Sequence, residues 1–352
     1  MERGQQRIEW LDAGKAACIL LVILCHVQIY ATILPWRSDA PVNAWAGLVA
    51  LARPFRMPLF FLISGILARR LLQREWEAGG RQRAGHLFFV YAIWAAIVVA
   101  STSSLLGKPF PDPGRFALSL ISGSAETWYL WALPTYLFIA WWSRKLPWWV
   151  PLGIALVVAL AAPYASERAF RSILRCLPLF LAGARLGGPI LAFAAAATPV
   201  RLAGAVLLFA IAFAARSAVP SLPQPLTDAA AILTAILAFP LAVRKWPGTI
   251  VPAQWLAHRT LPLYVLHFPV VAALSLSARN AASPWLTQSA VVAALYPLLM
   301  TAAVTLLCLL LHRLLLAGGL GWLFEPPMKS WRRSPSLPAR ADEAPAAPAA
   351  CR

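Results

Sequence analysis

His26 and His267 each fall near the middle of an apolar run about as long as a bilayer is thick. An ionisable side chain placed there is costly unless it faces a polar cavity or a partner. Two readings of His26 stand side by side. It is a general base in a cavity, or an imidazole bonded to a neighbouring helix for packing alone. Lys15 precedes His26 by eleven residues, about 16 Å of rise and nearly three helical turns, so both point to one face. His267 lies roughly 15 Å by helical rise from the basic end of its own run. Two imidazoles at one level point to a shared cavity more than to separate packing accidents. Tyr264, one turn before His267, reads as a hydrogen-bonded core tyrosine.

Arginines extend this set. In FRMPLFFLISG, Phe55 to Gly65, Pro58 frees a backbone carbonyl and Ser64–Gly65 permits close helix approach. Arg56 stands within the run, where a carboxylate, an anionic ligand or water should meet it. Arg53 is nearer the interface and reads as a snorkelling residue. Glu126, ahead of WYLWALPTYLF, is expected at the outer end of the fourth helix. It reads either as a surface carboxylate or as the acid that approaches Arg56 or His26. The stretch Arg69–Arg83 holds Arg69, Arg70, Arg74, Arg81 and Arg83 with a Gly79–Gly80 pair. Such a loop sets membrane topology, and its guanidinium groups also suit the phosphates of a donor such as coenzyme A.

The elements that carry these residues follow from composition. Of 352 residues, 60% are hydrophobic and 12% charged, against about half and about a quarter in soluble domains. The apolar residues come in runs without the alternation of barrel strands, so they are helices. The sequence predicts an all-α, polytopic membrane protein of about ten transmembrane helices. Their ranges are 14–35, 47–68, 86–106, 127–143, 148–162, 171–188, 201–217, 226–243, 257–276 and 287–317. With the N-terminus in the cytoplasm, most Lys and Arg fall on the cytoplasmic loops, the usual bias. Both termini are then cytoplasmic, and the first run is a retained helix and not a cleaved signal.

The net charge of +18 reads as this topology bias, so no nucleic-acid partner is expected. Cys18, Cys25, Cys176 and Cys308 sit in or beside apolar runs and Cys351 near the C-terminus, with no Cys-x-x-Cys pair. Neither a disulfide framework nor a metal site is expected. Residues 1–325 form one membrane domain. Residues 326–352, rich in Pro, Ala, Ser and Arg, should be a disordered cytoplasmic tail.

In order and spacing these motifs resemble the acyltransferase 3 family of bacterial integral membrane O-acyltransferases. EWLDAGKAACILLVILCH (Glu9 to His26) looks like the family's first helix, with a basic residue, ten positions, then histidine. FRMPLFFLISGIL (Phe55 to Leu67) looks like the second. TWYLWALPTYL (Thr127 to Leu137) and LPLYVLHFPV (Leu261 to Val270) resemble later signatures, and LPLFLAGARLG (Leu177 to Gly187) matches more loosely. At RQRAGHLFF, Arg81 to Phe89, His86 stands where relatives usually carry arginine.

The resemblance implies transfer of a short acyl group from cytoplasmic acyl-CoA, acetyl-CoA or succinyl-CoA, to a hydroxyl. The acceptor would be an extracytoplasmic carbohydrate or a lipid-linked glycan, and the setting a bacterial inner membrane. It makes His26 the essential catalytic residue, Lys15 its basic partner, and the Arg69–Arg83 loop the donor site, with Arg81 and Arg83 carried over more weakly. Arg56 or His267 would stabilise the oxyanion or orient the acceptor. A multispan transporter exporting a glycan intermediate is the alternative, because intramembrane His and Arg also line permeation paths. A non-catalytic scaffold is a third reading.

Overall fold

The computed structural model describes residues 8–32, 34–36, 40–73, 76–105, 107, 109–123, 126–280 and 289–326. The expected tail lies outside these beyond Pro326, as do Arg74 and Cys351. Among the described residues all regular structure is helical. The helices are α1 (Glu9–Ala31), α2 (Ala40–Leu72), α3 (Arg81–Leu105), α4 (Pro113–Ser122), α5 (Trp128–Trp142) and α6 (Trp149–Ala161). They continue as α7 (Arg168–Ala195), α8 (Pro199–Ala218), α9 (Gln224–Lys245), α10 (Ile250–Ala257), α11 (Thr260–Asn280) and α12 (Ala290–Ala317). Eight of them, all but α4, α5, α6 and α10, are long and apolar enough to cross a membrane. The chain is an all-α polytopic membrane protein.

Lys15, Arg69, Arg144 and Arg185 gather at one end of the bundle, where Arg69, Arg144 and Arg185 line a common cavity. This is called the Lys15 end below. Arg185 of α7 donates to the carbonyls of Arg144 (2.8 Å), Leu146 (3.2 Å) and Ser143. These carbonyls lie just past the C-terminus of α5, that of Ser143 also accepting from the Leu146 amide (3.0 Å), and a guanidinium both bonds them and complements the helix dipole. The residue thereby fixes the end of α5 to α7.

The fourth expected helix, 127–143, is the point where the structure departs from expectation. It is the second half of a broken span. Asp112 caps α4 by accepting from the Gly114 and Arg115 amides (3.0 and 3.2 Å), with Pro113 at the first helical position. Gly123, at φ 70°, ends α4 in the left-handed conformation that a glycine adopts freely. The carbonyls of Ser119 and Leu120 accept from Tyr91 (3.3 and 3.1 Å), ten residues into α3 and so about 15 Å along it. The last turn of α4 therefore meets the middle of α3, while the helix itself stays on the outside of the bundle with none of its residues buried, and the chain restarts as α5 beyond it. Glu126 is not at the outer end of a full-length span; it sits in the break. Non-helical backbone at such depth is tolerated where protein or water meets its polar groups, and Tyr264 supplies such a contact (below).

The closest helix pair is α2 with α7. A Cβ on Gly65 would collide with the Phe180 carbonyl, and one on Gly183 with the Leu62 carbonyl. The two backbones touch through reciprocal glycines, the small-residue packing that membrane helices use in place of a hydrophobic driving force. Side-chain bonds to carbonyls tie other pairs: Gln28 to Val42 (2.7 Å), Trp45 to Ala294 (2.8 Å) and Thr234 to Ala205 (3.0 Å). Trp94 and His86 of α3 reach Leu323 and Phe324 after α12, both at 2.8 Å.

Gly183→Ala should cost about 1–3 kcal/mol, the usual range for overpacking. Thermal unfolding of the solubilised protein should show a midpoint several degrees lower, whereas Gly204→Ala, with open space around its Cβ position, should leave it unmoved.

Candidate active site

His26 of α1 and His267 of α11 meet inside the bundle. Their rings stand 4.9 Å apart, centroid to centroid, edge to face, and His267 Nε2 lies 3.2 Å from His26 Nδ1. Each ring also contacts its own helix backbone. His267 Nδ1 faces the carbonyls of Tyr264 (2.7 Å) and Leu263 (3.2 Å). His26 Nδ1 faces the carbonyl of Val22 (2.9 Å).

These contacts fix the protons. A carbonyl only accepts, so His267 Nδ1 must carry its hydrogen, and in the neutral ring Nε2 is then an acceptor. The hydrogen between the rings accordingly sits on His26 Nδ1, shared between Val22 O and His267 Nε2. This leaves His26 Nε2 as a lone pair with no proton, the form a general base requires. His267 is 3% exposed, while His26 is only half-buried. The inner ring is enclosed, and the outer ring keeps part of its surface accessible.

Below the pair, toward the Lys15 end, lies a cavity of about 620 Å³, within the usual range for small-molecule sites. Lys15, Gln82 and Arg83 line its mouth. Ile19, Leu133, Leu137 and Phe180 form apolar walls, and Val22, Ser64, Tyr129 and Tyr264 line its inner end. The cavity stops one helical turn short of His26. At that end the Tyr264 hydroxyl accepts from the Tyr129 amide (3.3 Å) and donates to the Glu126 carbonyl (3.4 Å). The Tyr129 hydroxyl meets Ser64 Oγ at 3.4 Å. The hydroxyl of Tyr264 thus satisfies backbone freed by the α4–α5 break, a role beyond an ordinary core tyrosine.

The other sequence-predicted residues divide by position. Lys15 lines the cavity and lies 3.7 Å from Asp12. Arg83 also lines it, with Arg81 and Arg70 exposed nearby along the chain. His86 lines it too, while its Nε2 contacts the Phe324 carbonyl. Arg69 is not in this cavity. It crosses Gly187 and Gly188 and, with Arg144 and Arg185, lines a separate cavity of about 400 Å³. Arg56 directly precedes Met57, which lines the cavity, and is close enough for its charge to act on the His26 ring. Glu126 makes no hydrogen bond to Arg56 or His26; the charge that acts on its carboxylate is Arg168. Among the described residues no three His, Cys, Asp or Glu side chains gather as a metal ligand set.

Sequence reasoning gave Ser64 only a packing role beside Gly65 and missed Tyr129; both line the inner end. It also missed the Arg175–Asp228 pair, a bidentate contact between α7 and α9 with Asp228 only 2% exposed. A charged residue on each of two apolar runs was the available signal for that pair.

Paired imidazoles over an apolar-walled cavity, held in a bundle of membrane-length helices, define a polytopic membrane protein with a buried polar site. The chain belongs to the acyltransferase 3 family: the family model, described as an acyltransferase domain, matches residues 8–313. It is also similar to inner membrane protein YcfT of Escherichia coli strain K12, with 26% identity over 210 residues. That match covers 53% of this chain and 58% of the relative's length. No solved structure matches.

His267→Leu should remove the acceptor for His26 Nδ1–H without emptying the site. Turnover should fall by about 10²-fold, the lower range for acid–base contributions, while His267→Gln, which keeps an acceptor, should lose less. Equal losses in steady-state kinetics would contradict the proton assignment.

Proposed function

We propose that the protein is an inner-membrane O-acyltransferase that moves a short acyl group, acetyl or succinyl, from acyl-CoA to a hydroxyl of an extracytoplasmic glycan or related acceptor. The observation that carries this reading is the bonded histidine pair, one helical turn beyond the inner end of a cavity that Lys15 and Arg83 also line. In this reading the Lys15 end faces the cytoplasm, along with both termini. Lys15 and Arg83 at the mouth, and Arg69, Arg70 and Arg81 nearby, meet the donor's phosphates. The apolar walls suit the thin acyl arm, and Ser64, Tyr129 and Tyr264 offer hydroxyls to the thioester end.

The chemistry follows from the proton assignment. The acceptor hydroxyl reaches His26 from the side opposite the cavity. His26 Nε2 takes its proton as the oxygen attacks the thioester carbonyl carbon, in general-base catalysis. The imidazolium so formed keeps its Nδ1–H on His267 Nε2, which holds the ring in place. The tetrahedral adduct then collapses: the C–S bond breaks, the new ester leaves with the acceptor, and His26 returns the proton to the departing thiolate. Arg56 supplies a positive charge beside the reacting groups, where anionic oxygen develops. Glu126, placed in the break, enters through its backbone carbonyl and not as an acid.

His26→Ala should lower CoA-thiol release by about 10²–10⁴-fold in membranes supplied with acetyl-CoA or succinyl-CoA and surface glycan, with the protein still inserted at normal level. Unchanged acyl product on the glycan, read by mass spectrometry, would sink the proposal. Glycan export that needs no acyl-CoA and frees no thiol would favour a transporter instead.

A further inference from the structure

Within electrostatic reach of His26, positive charge is left unbalanced. Arg53 and Arg56 stand one turn apart on α2. The charges that act on Arg53 come from Arg175, Arg56, Asp228 and Arg216, four cationic groups in all against one carboxylate. That carboxylate is already committed. Asp228 accepts from Arg175 through Nε and Nη2, the latter at 2.6 Å, and from Gln224 at 3.2 Å. Arg216 is engaged as well: it donates to Gln224 Oε1 (2.7 Å) and to the carbonyls of Pro220 (3.2 Å) and Leu222.

Arg53 and Arg56 have no such partners. Among the described residues neither forms a salt bridge or hydrogen bond with a carboxylate. Arg56 Nη1 is buried with no hydrogen-bond partner at all. A buried donor left unmet is costly, and half-buried Arg56 lies within electrostatic reach of His26, while Arg53 is exposed one turn before it. The planar forks of two arginines fit the oxygens of a carboxylate or a phosphate ester.

We infer that the acceptor is anionic, and that its carboxylate or phosphate group docks on Arg53 and Arg56 and thereby brings a neighbouring hydroxyl to His26. This rests on the acyltransferase reading above and names the class of acceptor within it. The anion comes either from an acidic sugar or from the headgroup of an anionic lipid, and the same chemistry recognises both.

The test reads binding apart from turnover. Full-length protein in phosphatidylcholine nanodiscs is melted with D-glucuronate, glucose 1-phosphate or D-glucose at equal ionic strength. The two acidic sugars should raise the midpoint by a few degrees and glucose should not, since a ligand of the folded state alone stabilises it. The shift should vanish in the R53Q/R56Q double variant and persist in H26A. Phosphatidylglycerol nanodiscs without sugar form a second arm. A rise there that depends on Arg53 and Arg56 assigns the anion to a lipid headgroup and supports the inference equally. Glucose acting as well as the acidic sugars, or a shift that survives the double variant, would overturn it. Should the double variant fail to fold, R53Q and Arg56→Lys, each keeping one full fork, should each weaken the shift; a shift unchanged in both would overturn the inference as well. An H26A protein that still acylates would refute the chemistry and leave the anion site standing. No anion effect beside an inactive H26A would refute the anion site alone.

Discussion

The hydrogen bond between His26 Nδ1 and His267 Nε2 is the contact on which the arrangement depends. Two imidazoles in an apolar bundle must each find partners, because no solvent is there to supply them. Each ring spends one nitrogen on a backbone carbonyl of its own helix, and only one hydrogen is then left to share between them. The result fixes α1 against α11 and sets the tautomer of both rings. Structure and reactivity therefore have the same origin: the pairing that makes the histidines tolerable also leaves the Nε2 lone pair of His26 unprotonated.

The same rule governs the rest of the interior. The break between α4 and α5 exposes backbone at a depth where water is scarce, and the Tyr264 hydroxyl answers it from both sides. The end of α5 is met by Arg185, and Asp228 by Arg175 and Gln224. The rule has exceptions: among the described residues Arg56 Nη1 is buried without a partner near His26, and so are Gln28 Oε1, Thr127 Oγ1, Arg185 Nε, Ser275 Oγ and Tyr296 Oη elsewhere in the bundle.

Much of the frame was legible in the sequence. Long apolar runs marked ten of the twelve described helices to within about seven residues of their observed limits, eight of them long and apolar enough to cross a membrane, because hydrocarbon thickness and helical rise leave little freedom. The shared level of His26 and His267 followed from the same arithmetic. Other features were hidden for equally physical reasons. The α4 helix is short and mixed in composition, so no run marks it, and Gly123 could equally end a surface turn. The depth of Glu126 depends on Tyr91 and Tyr264, far away in the chain. Gly65 and Gly183 are small residues among many, and only the crossing of α2 and α7 shows which ones touch. The departure of Arg69 into its own cavity arises from that crossing too, since Gly187 and Gly188 open the space its side chain fills.

The glycine contact has a mechanical corollary. Backbones in direct touch cannot slide or separate without losing their whole contact surface, so α2 and α7 form a stiff keel along one flank of the cavity, carrying Ser64, Phe60 and Phe180. In the proposed reaction, a bulky thioester would gain room only by yielding of the facing flank, where Leu87, Leu133, Thr260 and Leu261 stand on α3, α5 and α11. That flank includes the helix bearing His267. Widening the passage would then also disturb the imidazole pair, and the chamber would be properly set only once its walls had closed around the acyl arm.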